Sequence, residues 1–465
     1  MNEIIGREEE QKLLQKYYET NNSELIILYG RRRVGKTYLI ENYFKDNLFF
    51  YASGVLNEDK QIQITNFLRK NKLEYKGIKN WNDAFYELEK MISGDNTNKK
   101  KVIFLDEIAW FEKKSSSFLR SLEYFWNSFC NKRKDILLIL CSSASSWVVN
   151  KIINNKGGLY NRISGKIIIK PFTLKLCEKY LEYKNIRYSR VDILEIYMIL
   201  GGIPYYLNYL DAYLSVSQNI DKIFFSENAH LKNEFSKIFS SLFENNEKYK
   251  LIIETLAKKT KGLSREAIIK EAKLESSGYL SRLLDDLEQT GFIRKYNNFS
   301  NKKKDALYQL IDNFSLFYNK IIYKEDVSDE NYWSLSRNTP KHNAWKGYSF
   351  EMICFQHINQ IKIKLGISGI LSNISSFQNE KCQIDLIIKR ADNIINLCEI
   401  KNYNDKISLN NTMFDNLHNK IKEFERELSR QLTIHLTLIS VYGLEKNKYS
   451  NVVTNEIILD DLFCY

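Results

Sequence analysis

The segment G-R-R-R-V-G-K-T at Gly30–Thr37 constrains the fold of this chain more than any other feature. It matches the pattern G-x-x-x-x-G-K-[ST], in which the glycines let consecutive backbone N–H groups turn toward one anionic group. An apolar stretch, E-L-I-I-L-Y-G at Glu24–Gly30, leads into it, and a helical stretch follows whose positive end faces the same group. This order of strand, glycine-rich loop and helix predicts a phosphate-binding loop in a parallel α/β sheet.

A second apolar stretch ends in two adjacent acids. The strand V-I-F-L at Val102–Leu105 is followed directly by Asp106 and Glu107. In a phosphate-binding loop, Lys36 reaches the β- and γ-phosphates and the Thr37 hydroxyl is a ligand of Mg²⁺. An aspartate after a neighbouring strand adds a contact to that ion, and the next glutamate can orient and polarise the attacking water. The two segments therefore predict binding and hydrolysis of ATP with Mg²⁺.

Composition indicates a folded chain of several domains. The sequence has 465 residues, of which 44% are hydrophobic and three are proline, so we expect two to four domains. The net charge of +12 favours a polyanionic partner such as nucleic acid. Lys, Asn, Ile and Tyr are common throughout, however, as AT-rich coding would produce, so charge alone leaves the partner open.

Cysteine usage and hydropathy predict the compartment. The seven cysteines form no C-x-x-C pair and there are five histidines, which argues against a zinc site and for free thiols in a reducing compartment. The acidic start of the sequence lacks the apolar region of a signal peptide. No apolar run approaches the roughly 20 residues that span a bilayer. We expect a soluble cytoplasmic protein with no membrane contact.

Periodicity along the chain suggests four domains. Strands and helices alternate over about the first 170 residues, which favours a parallel sheet. Helical patterns follow, with Pro204 suited to a first helical turn. Three helices and a hairpin then give a winged-helix pattern, and after a polar connector over Lys320–Thr339 an α/β pattern returns. We predict a P-loop core with a parallel sheet at 1–172, a helical lid at 173–243, a winged-helix domain at 244–320 and a second α/β domain at 321–465.

The segments that carry chemistry form a recognisable set. Besides the loop and the acid pair, they are C-S-S-A-S-S-W at Cys141–Trp147, G-G-L-Y-N-R at Gly157–Arg162 and G-G-I-P-Y-Y-L at Gly201–Leu207. Together they resemble the archaeal-type ATPases, which are AAA+/STAND-like P-loop proteins of archaea and bacteria. The resemblance covers about residues 1–320.

The resemblance implies further roles around the nucleotide. Ser143 would be the sensor residue near the γ-phosphate, although Ser142 stands where the family more often has glycine and leaves the choice between the two serines open. Arg162 would sense the γ-phosphate in cis or in a neighbouring subunit of a homo-oligomer, and Pro204 would lie near the nucleotide. The predicted nucleotide-binding residues are Gly6, Arg7, Gly30, Arg31, Arg32, Arg33, Val34, Gly35, Lys36, Thr37, Tyr38, Asp106, Ser143 and Pro204, with Thr37 and Asp106 as metal ligands and Glu107 and Arg162 as catalytic residues.

The winged-helix pattern has two interpretations. Three lysines at Lys302–Lys304 occupy the predicted wing tip and could contact phosphates. The candidate recognition helix carries Asp285, Asp286 and Glu288, which would repel DNA. The segment therefore predicts either a nucleic-acid contact or, as we favour, packing and protein contacts.

A second set of acids lies near the C-terminus. Glu351 is in a helical stretch, Asp385 lies in the strand Q-I-D-L-I-I, and Glu399 and Lys401 end another strand as C-E-I-K. Alternation along that strand puts Glu399 and Lys401 on one face. The set resembles the PD-(D/E)-x-K nuclease core, which implies Glu351, Asp385, Glu399 and Lys401 as catalytic residues and Asp385 and Glu399 as ligands of Mg²⁺.

The leading hypothesis is therefore an α/β ATPase switch coupled to a C-terminal nuclease-like module that acts on DNA or another nucleic acid. Solvated strand ends, or a nuclease-like fold that no longer cuts, would explain the same acids. The main alternative is a nucleotide-dependent signalling or interaction scaffold without nuclease activity. A transcription-type regulator that works through the winged helix is a third interpretation, against which the acidic helix argues.

Overall fold

The computed structural model divides into two compact units, of which the first contains one sheet and the second three among the described residues. Among the helices that it describes, none has the length and apolar character needed to cross a membrane. The described residues are 3–112, 116–154, 157–243, 245–259, 261–297, 299, 306–323, 329–337, 339–428 and 432–464. The first unit comprises Met1–Pro171, Ser240–Glu244 and Asp285–Thr290, and the second comprises Phe172–Phe239, Asn245–Leu284 and Gly291–Tyr465.

The first unit is built on a parallel sheet with the strand order β2-β3-β4-β1-β5. Parallel strands need crossover connections, and helices supply them here. The strands are β1 (Glu24–Tyr29), β2 (Leu48–Ser53), β3 (Lys101–Asp106), β4 (Ile136–Ser142) and β5 (Gly165–Ile168). The helices are α1 (Glu8–Glu19), α2 (Lys36–Tyr43), α3 (Lys60–Arg69), α4 (Trp81–Gly94), α5 (Ile108–Phe111), α6 (Phe118–Ser128) and α7 (Ser145–Val148).

The strands of the first sheet differ in how deeply they are buried. Every residue of β3 and β4 is buried, as the continuous apolar runs of a central parallel strand predict. The edge strand β2 is half-buried, and sequence analysis missed it. One face of the sheet packs against aromatic side chains of α4 and α6, including Trp81, Phe85 and Phe125. Burial of each such ring contributes about 2–3 kcal/mol before entropy is counted.

Helices fill the chain after the first sheet. Gly201 ends α9 in the left-handed region with φ 66°, and Pro204 is in the first turn of α10, as the sequence predicted. Gly202 also has φ 66°, and a Cβ there would lie 2.2 Å from the carbonyl oxygen of Phe172, so only glycine fits. The helices are α8 (Leu174–Tyr183), α9 (Arg190–Leu200), α10 (Pro204–Leu207), α11 (Val216–Ile220) and α12 (Glu234–Leu242).

A three-stranded antiparallel sheet follows, with three helices before its hairpin. Its strand order is β6-β8-β7. The predicted wing tip at Lys302–Lys304 lies outside the described residues. The helices are α13 (Asn246–Lys258), α14 (Arg265–Ala272) and α15 (Gly278–Gln289), and the strands are β6 (Leu263–Ser264), β7 (Ile293–Asn297) and β8 (Ala306–Leu310).

The segment predicted as a polar connector is partly structural. Trp333 lies in α17 and is fully buried, its ring nitrogen donates to Glu195 over 3.2 Å, and its ring stacks on His342. The prediction of a plain connector over Lys320–Thr339 is therefore wrong for its second half, because one buried aromatic ring anchors an otherwise polar stretch. The helices of this region are α16 (Asn313–Phe317) and α17 (Tyr332–Ser336).

The C-terminal part has a mixed sheet with the order β15-β13-β11-β10-β9. The pairs β13–β11 and β13–β15 are parallel, whereas β10 is antiparallel to both of its neighbours. The strands are β9 (Ser372–Gln378), β10 (Gln383–Arg390), β11 (Ile394–Lys401), β12 (Ile407–Ser408), β13 (Thr433–Ser440), β14 (Leu444–Glu445) and β15 (Asn455–Ile458), and the helices are α18 (Pro340–Gln356), α19 (Ile358–Lys364) and α20 (Asn411–Glu425).

Candidate functional site

The glycine-rich loop joins the end of β1 to the start of α2, as its sequence predicts. Gly30 has φ 152°, and a Cβ there would come within 2.2 Å of the carbonyl oxygen of Ile169. Gly35 has φ 90° and precedes the first residue of α2, and Arg33 also lies in the left-handed region with φ 72°. These three residues give the loop its tight curve. The first N–H groups of a helix have no partner within that helix, and α2 begins directly after the loop, as in an anion site.

Lys36 and Thr37 are both fixed at the start of α2. The Lys36 ammonium donates to the carbonyl oxygens of Gly30 and Arg31 over 3.0 and 2.9 Å, and its side chain is 5% exposed. The Thr37 hydroxyl donates to Asp106 Oδ2 over 2.6 Å. A hydroxyl and a carboxylate in contact are the oxygen ligands that Mg²⁺ takes, so these residues fit the predicted ion.

Glu107 is held by neutral donors. Its Oε2 accepts from the Ser143 backbone N–H over 3.0 Å and from the Ser143 hydroxyl over 2.8 Å. Burial raises the pKa of Glu107, the nearby Lys36 charge works against it, and the net pKa lies above its usual value. The serine that contacts Glu107 is thus Ser143, whereas Ser142 is fully buried at the end of β4.

The N-terminal segment contacts the loop through Arg7. Its guanidinium donates to the carbonyl oxygens of Val34 and Lys170 over 3.1 and 2.7 Å. Arg7 itself has φ 68°, in the left-handed region, directly before α1. The contact joins the loop to the residue range after β5 and gives the Gly6–Arg7 segment a structural part in the site.

The structure also places two further predicted residues, Arg162 and Pro204. Arg162 is exposed and follows the turn at Leu159, whose carbonyl accepts from its backbone N–H over 3.0 Å. Pro204 belongs to the second unit. The roles of both residues stay predictions.

Comparison with known proteins assigns this part of the chain. Residues 4–210 match the model of a family described as an ATPase domain predominantly from Archaea. These residues are thus similar to an ATPase domain, and the match covers less than half of the chain. The match covers the loop, the acid pair, Ser143 and Arg162, and it ends just beyond α10.

The chain is also similar to two proteins of one archaeon. The protein MJECL04 of Methanocaldococcus jannaschii is 26% identical over 393 residues, which are 83% of this chain and 84% of that protein. Because 393 aligned residues exceed the ATPase match, the similarity continues beyond residue 210. The ATP-binding protein MJ0423 of the same organism is 45% identical over 50 residues, 11% of this chain and 85% of that protein.

Solved structures to which the chain is similar include two archaeal proteins. The Walker-type ATPase PABY2304 of Pyrococcus abyssi has a TM-score of 0.47 at 19% identity and covers 68% of this chain and 96% of its own. The ORC2 protein of Aeropyrum pernix has a TM-score of 0.42 at 15% identity, with 68% and 93% covered.

The C-terminal part of the chain brings the second set of acids together. Glu351, Asp385, Glu399 and Lys401 all line one cavity of about 680 Å³, which we call the carboxylate cavity. The pairing of Leu386 with Cys398 between β10 and β11 puts Asp385 beside Glu399. The four side chains that the sequence pattern grouped thus line one cavity, and they come from α18, β10 and β11.

Lysines compensate the acids in the carboxylate cavity. Lys261 lies 3.2 Å from Asp385 Oδ1 and 3.5 Å from Glu351 Oε2. Lys401 and Lys420 lie 2.8 and 2.6 Å from the two carboxylate oxygens of Glu399. Sequence analysis missed Lys261 and Lys420, because they come from the segment before β6 and from α20, and no local pattern marks them.

Burial and neighbouring charges shift the pKa values of Glu351 and Lys261 in the carboxylate cavity. Burial, and then the charge of Asp385, raises the pKa of Glu351 to about 7. Burial works to lower the pKa of Lys261, but the charges of Glu351 and Asp385 outweigh it and the pKa is raised. Within the part of the chain that the structure describes, no three His, Cys, Asp or Glu side chains come together in a way that could hold a metal ion. The predicted metal site at Asp385 and Glu399 therefore stays a prediction.

Proposed function

We propose that the N-terminal domain binds ATP with Mg²⁺ and hydrolyses ATP as a conformational switch. The observation that carries the proposal is the contact of Thr37 with Asp106, beside a glutamate held by Ser143. The loop N–H groups and Lys36 bind the phosphates, because the helix end and the ammonium are both positive. Mg²⁺, when bound, neutralises charge that develops on the transferred phosphate.

Glu107 is the residue that prepares the water. Its second carboxylate oxygen is not used by Ser143, so it can accept a proton from a water placed beside the phosphate. Ser143 fixes the rotamer of Glu107 through two hydrogen bonds to Oε2. Arg162 is exposed, as a residue would be that meets the γ-phosphate only after a movement or in a second copy of the chain.

The test of the ATPase proposal uses Asp106. We expect Asp106→Asn to reduce ATP turnover strongly at saturating ATP and Mg²⁺, because the amide is a poorer partner for both the ion and Thr37. The exposed Asp46, near the end of α2, provides the control Asp46→Asn. Equal turnover in Asp106→Asn and its parent would remove Asp106 from the site.

We propose further that the C-terminal module acts on nucleic acid through the carboxylate cavity. Support comes from the placement of all four predicted side chains on one cavity and from the lysines beside them. Glu399 and Asp385 are the oxygen donors for a divalent ion, and Lys401 can orient a water or stabilise charge on a phosphate. These are the groups that metal-assisted phosphodiester hydrolysis requires.

Plasmid nicking with Mg²⁺ or Mn²⁺ tests this part of the proposal. We expect Lys401→Ala to lose the activity, while Lys406→Ala, an exposed lysine of the same segment, keeps it. Nicking that persists in Lys401→Ala would come from another site or from a contaminant.

One observation favours a scaffold as the second candidate. Lys261, Lys401 and Lys420 already satisfy the acids of the carboxylate cavity, as they would in a module that binds no metal ion. A nucleotide-dependent interaction scaffold would then show ATP-dependent changes in shape or partner binding, and no nicking with either metal.

A further inference from the structure

A second cavity opens beside the carboxylate cavity and contains an arginine. It measures about 220 Å³ and shares Lys261, Glu351, Gln383 and Asp385 with the larger cavity. Its other lining includes Arg294, and we call it the arginine cavity. The shared residues put it in direct continuity with the acids of the proposed nuclease site.

Arg294 lines the arginine cavity and donates a hydrogen bond to a neutral partner. Its Nε donates to the Gln309 side-chain oxygen over 2.7 Å, and in the described part of the chain no carboxylate forms an ion pair with it. The acids of the cavity, Glu351 and Asp385, are engaged by Lys261. Burial lowers the pKa of Arg294 to about 10. A partly buried guanidinium that forms no direct ion pair keeps hydrogen-bond donors that an anionic ligand can use.

Two aromatic rings contact the Arg294 guanidinium where it lines the arginine cavity. The guanidinium lies 3.5 Å from the centre of the Phe355 ring and 4.7 Å from that of Tyr296. Aromatic rings stabilise the cation through its faces. The donors that remain lie in the plane of the guanidinium, which suits an oxyanion bound by two parallel hydrogen bonds.

We propose that the arginine cavity is a subsite for a phosphate group of a nucleic-acid strand, with Arg294 as its anion-binding residue. The inference rests on the proposed action of the C-terminal module on nucleic acid and names how the substrate is held. A strand whose scissile phosphate lies at the carboxylate cavity carries a neighbouring phosphate within reach of the adjoining arginine cavity. That phosphate is either an internal phosphodiester or a terminal phosphomonoester.

The experiment measures binding without cleavage. The full-length protein is titrated into a short, internally labelled single-stranded DNA in EDTA, and fluorescence anisotropy is followed at several KCl concentrations. Arg294→Gln is compared with Arg294→Lys and with Arg187→Gln, which alters an exposed arginine elsewhere in the second unit. Thermal unfolding of each variant verifies the fold.

We expect Arg294→Gln to weaken binding about tenfold, as the loss of a charge-assisted pair does. The slope of log K against log salt should fall by about 0.7, the value for one phosphate contact on a single strand. Arg294→Lys should keep the slope but bind more weakly, because an ammonium makes no paired hydrogen bonds. A loss of affinity with an unchanged slope would mean a structural role only and would overturn the proposal.

Further measurements distinguish a terminal from an internal phosphate. They also test the subsite separately from the proposed nuclease activity. If a 5′- or 3′-phosphate strengthens binding to the parent protein but not to Arg294→Gln, the subsite holds a strand end; equal weakening on all strands indicates the backbone. Equal affinities of Arg294→Gln and the parent, or no binding by the parent, overturn the subsite, whatever plasmid nicking shows. A subsite that behaves as expected in a protein that never nicks refutes the nuclease activity alone.

Discussion

The two acidic sites of this chain differ in what holds their carboxylates. Asp106 and Glu107 accept hydrogen bonds from the hydroxyls of Thr37 and Ser143, which are neutral. Asp385 and Glu399 pair with the ammonium groups of lysines over 3.2 Å or less. Neutral donors leave the negative charge available to an arriving cation, whereas ammonium groups already compensate it.

The difference shows how one residue type can serve two purposes. The lysine of the first site, Lys36, donates to loop carbonyls and leaves the acids to the hydroxyls. Lys261 in the second site contacts two carboxylates directly. The first arrangement is prepared for a metal ion with its nucleotide, and the second must exchange a lysine for an ion before it can hold one.

Removal of the Glu107 carboxylate should have the largest effect, a loss of ATP turnover. Glu107→Gln keeps the hydrogen bonds to Ser143 within reach but removes the base, so kcat should fall about 100- to 10,000-fold. The affinity for ATP should change little. Phosphate release at saturating ATP measures kcat, with the exposed Glu9→Gln on α1 as the control. Turnover within about threefold of the parent would show that neutral donors at an acid do not mark the catalytic base.

Lys36→Ala is expected to have the next largest effect. Hydrogen bonds to charged groups contribute about 1.5–3 kcal/mol, so loss of the ammonium should weaken ATP binding by about 10- to 100-fold. Titration with a fluorescent ATP analogue measures this affinity, and Lys45→Ala alters an exposed lysine just after α2 as the control. A variant that binds ATP as tightly as its parent would refute the phosphate-binding role of the loop.

The first site was predictable because its elements are contiguous in the sequence. The loop and the acid pair each follow an apolar strand, and parallel strands bring their carboxyl ends to one edge of the sheet. The strand β2 was not predicted, although L-F-F-Y-A is a continuous apolar run, because periodicity alone does not distinguish so short a run from part of a helix.

The second site was predictable only in part. Glu399 and Lys401 share a strand face and Asp385 lies on the neighbouring strand, so their proximity followed from alternation and pairing. Lys261 comes from more than a hundred residues upstream of Asp385 and Lys420 from a separate helix. Long-range ion pairs of this kind depend on tertiary packing, which no local pattern encodes.

Ionisation of Glu351 should make the free energy of unfolding depend on pH. Its pKa is about 7 in the folded protein against an ordinary 4.5, so between these pH values the folded state binds more protons than the unfolded state. Stability therefore falls as pH rises through this window, by at most about 3 kcal/mol, and the cost is fully present above it. Glu351→Gln is neutral at every pH and should lack that loss.

Urea unfolding in EDTA measures the effect of Glu351→Gln. The free energy of unfolding of the variant, relative to its parent, should rise by about 1–3 kcal/mol between about pH 5 and about pH 8. Glu247→Gln, whose parent side chain is 85% exposed, should show no such change. A variant that follows the pH dependence of its parent would mean that Glu351 ionises as an ordinary surface acid.

The smallest expected effect comes from Lys261→Met. This variant tests whether the carboxylate cavity can bind a cation once a lysine is removed. Methionine keeps the length of the side chain and removes the charge that lies 3.2 Å from Asp385 and 3.5 Å from Glu351. A divalent ion would then no longer compete with an ammonium, and Mn²⁺ should bind about tenfold more tightly. Electron paramagnetic resonance of unbound Mn²⁺ measures this affinity, with the exposed Lys259→Met as the control.

Two outcomes would contradict this expectation. If Asp385→Asn weakens Mn²⁺ binding in the parent while Lys261→Met changes nothing, the ammonium does not compete with the ion for the acids. If neither substitution matters, the carboxylate cavity takes no cation, and its lysines are permanent partners rather than a replaceable substitute for one.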